Sequence, residues 1–198
     1  TLGSIKERMD RFEEGLEVIS QLIRSDEPVT FDGQYYQLQE AILLPHPKRP
    51  TPILIGGQGL KRTMPLVAKY ADIWNCDRTL DIFKEANTVL DSLLQAEGRQ
   101  LSDVKRTNTV VMGCWQTDAE RDQILSDIPP SMLQFLGGAD EFTAGVQERF
   151  SNPSPTHVID QLKRFEDAGC EELVIHYFGM NGDTQLDVLA EHILPHFQ

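Results

Sequence analysis

Apolar residues recur at Ile5, Met9, Phe12, Leu16, Ile19 and Ile23, three or four apart, with Glu, Arg and Lys between them. That spacing predicts an amphipathic helix from about Ser4 to Arg24, opened by Ser4 or Gly3. Val29-Thr30-Phe31 and Tyr35-Tyr36-Gln37-Leu38 then flank Asp32-Gly33, a dipeptide that favours a tight turn, so a β-hairpin is expected over about 28–40. Pro45, Pro47, Pro50 and Pro52 make the next stretch an extended connector. Pro52-Ile53-Leu54-Ile55 is a short apolar run closed by Gly56-Gly57-Gln58-Gly59, which reads as a strand buried on both faces feeding a glycine turn. The helix after it turns Leu66, Val67, Tyr70 and Ala71 inward. Because Pro65 fits only in a first turn, that helix should start near Lys61 or Arg62.

Asp72 to Cys76 is the next strand, and Leu80 to Ala96 a helix with Phe83, Leu90, Leu93 and Leu94 inward and Gly98 just past its end. Val104 to Trp115, rich in Thr and Val, reads as a strand. Thr117-Asp118-Ala119-Glu120 is a capping box that opens another helix. From there an excursion runs over about 117–153, with short helices and loops from Pro129 to Asn152. Ser154-Pro155 starts a helix to Ala168, Gly169 stops it, and Leu173 to Phe178 is a strand. A last helix spans about Thr184 to Leu194, ended by Pro195. Alternating strands and helices imply parallel strands with right-handed crossovers, an α/β fold in one domain over 1–198. An open doubly wound sheet and a barrel both satisfy this order. The leading helix favours the barrel, because with no strand before it the helix is an orphan unless a preceding strand is missing.

Composition narrows the function classes. With 31 acids against 18 Lys and Arg the net charge is −13, which argues against nucleic acid and anionic membrane as partners. Cys76, Cys114 and Cys170 are widely spaced and form no CxxC pair, so reduced thiols in a cytoplasmic protein are expected. The first dozen residues are charged and hold no signal-peptide core, and no apolar run approaches the ~20 residues of a membrane span. The chain opens on Thr1 rather than Met, and a segment upstream is expected.

Four stretches, in this order and spacing, resemble the luciferase-like monooxygenase superfamily, especially its deazaflavin-dependent branch: IKERMDRFEEGLEVISQLI, EPVTFDGQYYQL, RPTPILIGGQGLKRTMPLVAKYADIWN and PTHVIDQLKRFEDAGCEELVIHYF. The resemblance implies a TIM-type (β/α)8 barrel. On it, Pro52–Ile55 matches the fifth strand, Asp72–Cys76 the sixth, the segment around Thr107–Cys114 the seventh and Leu173–Tyr177 the eighth. The expected fold is thus the C-terminal half of such a barrel, strands five to eight, with a small hairpin insertion. Four parallel strands cannot close a barrel and leave two open edges. An N-terminal half-barrel or a second copy is therefore the expected partner, with a homo-oligomer as the form in solution.

The same resemblance implies redox chemistry on a bound coenzyme, F420 or FMN, acting on a small organic substrate. Gly56, Gly57, Gln58 and Gly59 are the candidates for contacting it, with Arg62 and Thr63 beside them. Glycine lets backbone approach a ligand closely, and the helix that follows is expected to offer unpaired N–H groups to an anion. A plain strand-to-helix turn would use glycine as well, and Pro65 departs from the family helix. Asn75 and Arg78, at the end of a strand where barrel enzymes place their sites, and His176 on the last strand are the candidate substrate contacts. Cys76 has no histidine near it in sequence, and Pro195 breaks the helix between His192 and His196, so neither a thiol nucleophile nor a metal site is expected. No catalytic acid or base is identified. Half of an oxidoreductase, a self-associating half-barrel and a non-catalytic flavin-binding relative all remain open.

Overall fold

Ser4 opens the first helix, α1 (Ile5–Arg24), its hydroxyl accepting the Glu7 N–H at 3.2 Å in place of the helical partner a first turn lacks. The computed structural model describes residues 3–112, 117–135, 138–140, 144, 154–177 and 186–197. On α1, Leu16 and Val18 are buried, but the stripe that periodicity assigned to the interior is partly outside: Ile5 is 73% exposed and Ile19 49%.

Strands β1 (Val29–Asp32) and β2 (Gln37–Ala41) form the expected hairpin, paired antiparallel with Asp32 opposite Gln37. Its turn is not the tight one that Asp-Gly favours. The loop runs from Gly33 to Tyr36, and β2 starts later than the sequence implies. Glu14 of α1 is the reason: its carboxylate accepts the N–H groups of Gln34, Tyr35 and Tyr36 at 3.1, 2.7 and 2.6 Å. Donors held by a helix side chain cannot also serve a strand ladder.

A four-stranded sheet follows in the order β3 (Leu54–Gly56), β4 (Ile73–Cys76), β5 (Lys105–Met112), β6 (Glu172–Tyr177). Both the β3–β4 and β5–β6 pairings are parallel. Helices α2 (Thr63–Tyr70) and α3 (Leu80–Ala96) stand between successive strands, which makes this a parallel α/β sheet.

The chain divides into two compact units, Thr1–Asn75 with Ala86–Lys105, and Cys76–Glu85 with Arg106–Gln198. In the first, Ile55 and Trp74 are buried along with Met64, Val67 and Ala68 of α2 and Leu90 and Leu94 of α3. Arg99 closes the end of α2 by donating to the carbonyls of Ala68 and Ala71, each at 2.9 Å. Gly98 ends α3 at φ +70°, as its position beyond Ala96 foretold. One expectation is overturned: β3 is buried on one face only. Ile55 is buried, but Leu54 is 56% exposed and Gly56 is exposed as well, because α2 and α3 supply apolar cover on a single side.

In the second unit, Thr117 caps α4 (Asp118–Asp127), its hydroxyl accepting from the Glu120 N–H at 3.2 Å. A short helix α5 (Pro130–Phe135) follows, and most of the remaining excursion to Asn152 lies outside the described residues. Helix α6 (Pro155–Asp167) has Ser154 and Pro155 at its start and buries Val158, Ile159, Leu162 and Phe165. Gly169 stops it at φ +87°. Phe165 meets Phe83 edge-on at 5.9 Å, a favoured aromatic geometry. Along β6 Leu173 and Ile175 are half-buried, whereas Val174 and His176 are exposed. Helical turns run from Leu186 to His196, with Pro195 inside the last of them. Cys114, Trp115, Phe178 and Thr184, which the sequence placed in or beside elements, lie outside the described residues. Among those residues no helix is long and apolar enough to cross a membrane.

Candidate functional site

β3 ends on Gly56, which pairs in register with Asn75 of β4, so the two residues share a face of the sheet. The chain then turns sharply. Gly57 adopts φ +120° and donates its N–H to the Asn75 carbonyl at 3.0 Å. From the buried side, the indole N–H of Trp74 donates to the Gly57 carbonyl at 2.7 Å. Thr63 folds back under the turn: a Cβ at Gly57 would lie 3.3 Å from its Cγ2, and one at Gly59 3.0 Å from its Oγ1. Glycine at 57 is thus demanded by the backbone of the turn, whereas at 59 a side chain would crowd the Thr63 hydroxyl. Gly56 is different. A Cβ there would meet only the Asn75 carbonyl oxygen, at 3.9 Å, so its backbone lies bare on the exposed face. A flat ligand could rest there at van der Waals distance.

The helix behind the turn does not do what the sequence implied. It starts at Thr63, later than expected. The N–H groups of Thr63 and Met64 both donate to the Gly59 carbonyl, at 2.9 and 3.0 Å, and Pro65 has no N–H. Three positions of the first turn therefore have no donor left for an anion. Arg62 is likewise committed, its guanidinium lying 2.9 Å from both the Asp10 and Glu13 carboxylates of α1. The hydrogen bonds of Lys6 and Arg62 hold the Asp10 carboxyl below its ordinary value, and the Asp10 bond raises the guanidinium in turn. Gln58, Gly59 and Thr63 stay with the turn; Arg62 points its charge toward α1.

The second unit carries the other candidates. Arg78 is exposed, and its guanidinium donates to the Asp77 carbonyl at 2.7 Å. Its backbone is held at both ends by one side chain that the sequence reading missed. Asn108, fully buried, donates to the Arg78 carbonyl at 3.2 Å and accepts the Arg78 N–H at 3.5 Å. A lone amide inside the Thr- and Val-rich run Lys105–Val111 was the available signal, since a buried Asn needs partners. His176 stands exposed on β6, opposite Val111 and on the same face as Val174.

Cys76 is buried, and desolvation pushes its thiol up to about 12, with Cys170 pushed to about 11 by the same cause. Burial thus disfavours the reactive thiolate form of both. Among the described residues, no group of three His, Cys, Asp or Glu side chains is placed to hold a metal ion.

Residues 3–167 match the family model of the luciferase-like monooxygenases. The chain belongs to that family. It is 29% identical over 222 residues to the F420-dependent glucose-6-phosphate dehydrogenase of Kineococcus radiotolerans, covering 98% of this chain and 62% of the relative. The enzyme of the same name from Amycolatopsis mediterranei is 27% identical, covering 96% of this chain and 62% of the relative. The chain thus spans 62% of the length of these two curated relatives. Among solved structures, an F420-dependent secondary alcohol dehydrogenase in complex with an F420–acetone adduct superposes with a TM-score of 0.80 at 19% identity, covering all of this chain and 64% of the other. The EDTA monooxygenase of Chelativorans sp. BNC1 superposes at 0.71 with 14% identity, covering 98% and 60%. These likenesses establish the fold.

Proposed function

We propose that this chain is the strand-five-to-eight half of a luciferase-like barrel oxidoreductase that holds coenzyme F420 or FMN against the turn Gly56–Gly59. The observation that carries the reading is the bare backbone of Gly56 with Asn75 alongside it on an exposed sheet face. An aromatic ring system fits such a surface, and a carboxamide at its margin suits a ring edge rich in carbonyl and N–H groups. The relatives named for F420 support the coenzyme class. When bound, such a group supplies hydride exchange with a small organic substrate, or in its FMN form oxygen activation.

The chain's own residues orient and shape. Gly57 and Trp74 fix the height of the turn, Thr63 buttresses it, and Gln58 and Gly59 extend the contact. Arg62 contributes by tying the turn to α1, and meets the coenzyme only by leaving Asp10 and Glu13. Arg78, presented by Asn108, and the exposed His176 are the substrate-side candidates. The half-barrel reading is supported by apolar surface without cover: Leu54 in the first unit, Val174 in the second and the stripe of α1. An N-terminal half-barrel, or else a second copy in a homo-oligomer, is the cover we infer. We place the protein in the cytoplasm, with Cys76 and Cys170 as free thiols.

The test is an anaerobic fluorescence titration of the purified protein with F420 and with FMN, followed by turnover with glucose 6-phosphate. One coenzyme should bind saturably, and Gly56→Leu should weaken it at least tenfold while the circular dichroism spectrum is unchanged. Binding of neither, or equal binding by the Gly56 variant, overturns the proposal. Turnover is expected only once an N-terminal half completes the barrel, and binding without turnover in that completed form would mark a non-catalytic relative.

A further inference from the structure

The strongest feature outside the glycine turn lies at the other end of β3. A cavity of ≈ 630 Å³ opens between the end of α1, the proline connector and the loop ahead of β4. Ile23, Pro47, Pro50 and Pro52 give it an apolar wall, and its ionisable groups are Arg24, His46, Arg49 and Asp72. Most of these are already engaged. Asp72 accepts the Ile53 N–H at 2.7 Å and sits 3.3 Å from the Arg24 guanidinium, which also donates to the Tyr70 carbonyl at 3.2 Å. His46 has the Ser25 carbonyl at 3.1 Å on one ring nitrogen and Asp26 at 3.2 Å on the other. Arg24 and Asp72 neutralise each other.

Arg49 is the remaining cation. It is exposed at the cavity, Lys48 precedes it, and among the described residues it makes no hydrogen bond or ion pair. In a chain with 31 acids and 18 Lys and Arg, an arginine with no carboxylate partner beside an apolar hollow is a local reversal of the prevailing charge. A guanidinium offers a planar fork that matches a carboxylate with two parallel hydrogen bonds. The three prolines offer flat, rigid apolar faces that cost little conformational entropy to cover.

We propose that this cavity binds a small organic carboxylate, its carboxyl group on Arg49 and its apolar ring or short chain against Pro47, Pro50 and Pro52. The site is separate from the proposed coenzyme turn. Pro52 precedes β3 and Gly57 follows it, roughly 16 Å apart at about 3.3 Å per extended residue. In parallel α/β barrels the chemistry gathers at the carboxyl ends of the strands; a ligand at the entry to β3 is held there as an effector, without being converted. The proposal stands whether or not the coenzyme reading does.

The experiment is an amide-resolved NMR titration of the intact protein with sodium benzoate, with benzyl alcohol as the uncharged counterpart of similar shape. Benzoate should shift the amides of Arg49, Thr51 and Asp72 together and saturably. Arg49→Gln should weaken binding at least tenfold, Arg49→Lys less, and benzyl alcohol should leave these amides in place. Shifts scattered over surface lysines and arginines without saturation, benzyl alcohol acting as well as benzoate, or undiminished binding by the Gln variant would each overturn it.

Discussion

Two helices with equally regular apolar stripes meet opposite fates in this protein. Helix α6 places Val158, Ile159, Leu162 and Phe165 on one side and buries all four. Helix α1 repeats the same three-and-four spacing, yet buries only Leu16 and Val18 and leaves Ile5, Phe12 and Ile19 exposed. Periodicity reports which face a helix would bury, not whether anything is present to cover it. The difference is that α6 has apolar cover along its stripe and α1 has it only at Leu16 and Val18.

The sharpest way to break this comparison is truncation on both helices. Phe165→Ala removes a buried ring packed on Phe83 and should cost about 3–5 kcal/mol in urea unfolding. Ile19→Ala in the chain alone should stay within about 0.5 kcal/mol. A loss above ~2 kcal/mol at Ile19 would show that the stripe is covered after all. Next in size, Glu14→Ala strips three backbone donors of their acceptor and should cost about 1–3 kcal/mol. Its signature is local, with faster hydrogen exchange at Gln34, Tyr35 and Tyr36 while the α6 amides stay protected.

The buried thiols sharpen the contrast from the second unit. Cys76 and Cys170 keep their protons in the folded state to about 12 and about 11, against an ordinary value of 9.0. The folded state therefore binds more protons than the unfolded one between those limits, and stability should fall as pH rises above 9. At pH 8 both should resist iodoacetamide until urea unfolds the protein; rapid labelling of the native state would contradict their burial. Arg62→Ala should have the smallest effect, within the error of a melting curve, because ion pairs this exposed contribute little. Asp10 works in the opposite pH direction. Its lowered value gives a contribution present above the ordinary 3.8 and lost as pH falls through the folded value, so the Arg62 variant should differ from the parent least in acid.

Legibility followed the range of the interactions. Helix α3 could be read to the residue, from Leu80 to Ala96, because its apolar spacing and Gly98 are local signals. Ser154-Pro155 and Gly169 bracketed α6 in the same way. The hairpin was visible, but its turn was not, since the Glu14 carboxylate that reshapes it lies 20 residues upstream. At the candidate site the glycine turn was found by sequence, whereas the pairing of Arg62 with Asp10, 52 residues away, and the Asn108 clamp on Arg78 were not. The one-sided burial of β3 was hidden for another reason. An apolar run such as Ile53-Leu54-Ile55 says that cover is wanted on both faces, and only the structure shows that one is open.

That open face makes solution mass the most direct measurement, read together with intact mass on the purified protein. On the half-barrel proposal the 22.4 kDa chain should be found within a heavier particle, joined to further strands, bound to a separate N-terminal piece or paired with a second copy. A monodisperse 22.4 kDa monomer, stable on its own, with Ile5, Phe12 and Ile19 in water and no affinity for either coenzyme, would contradict it.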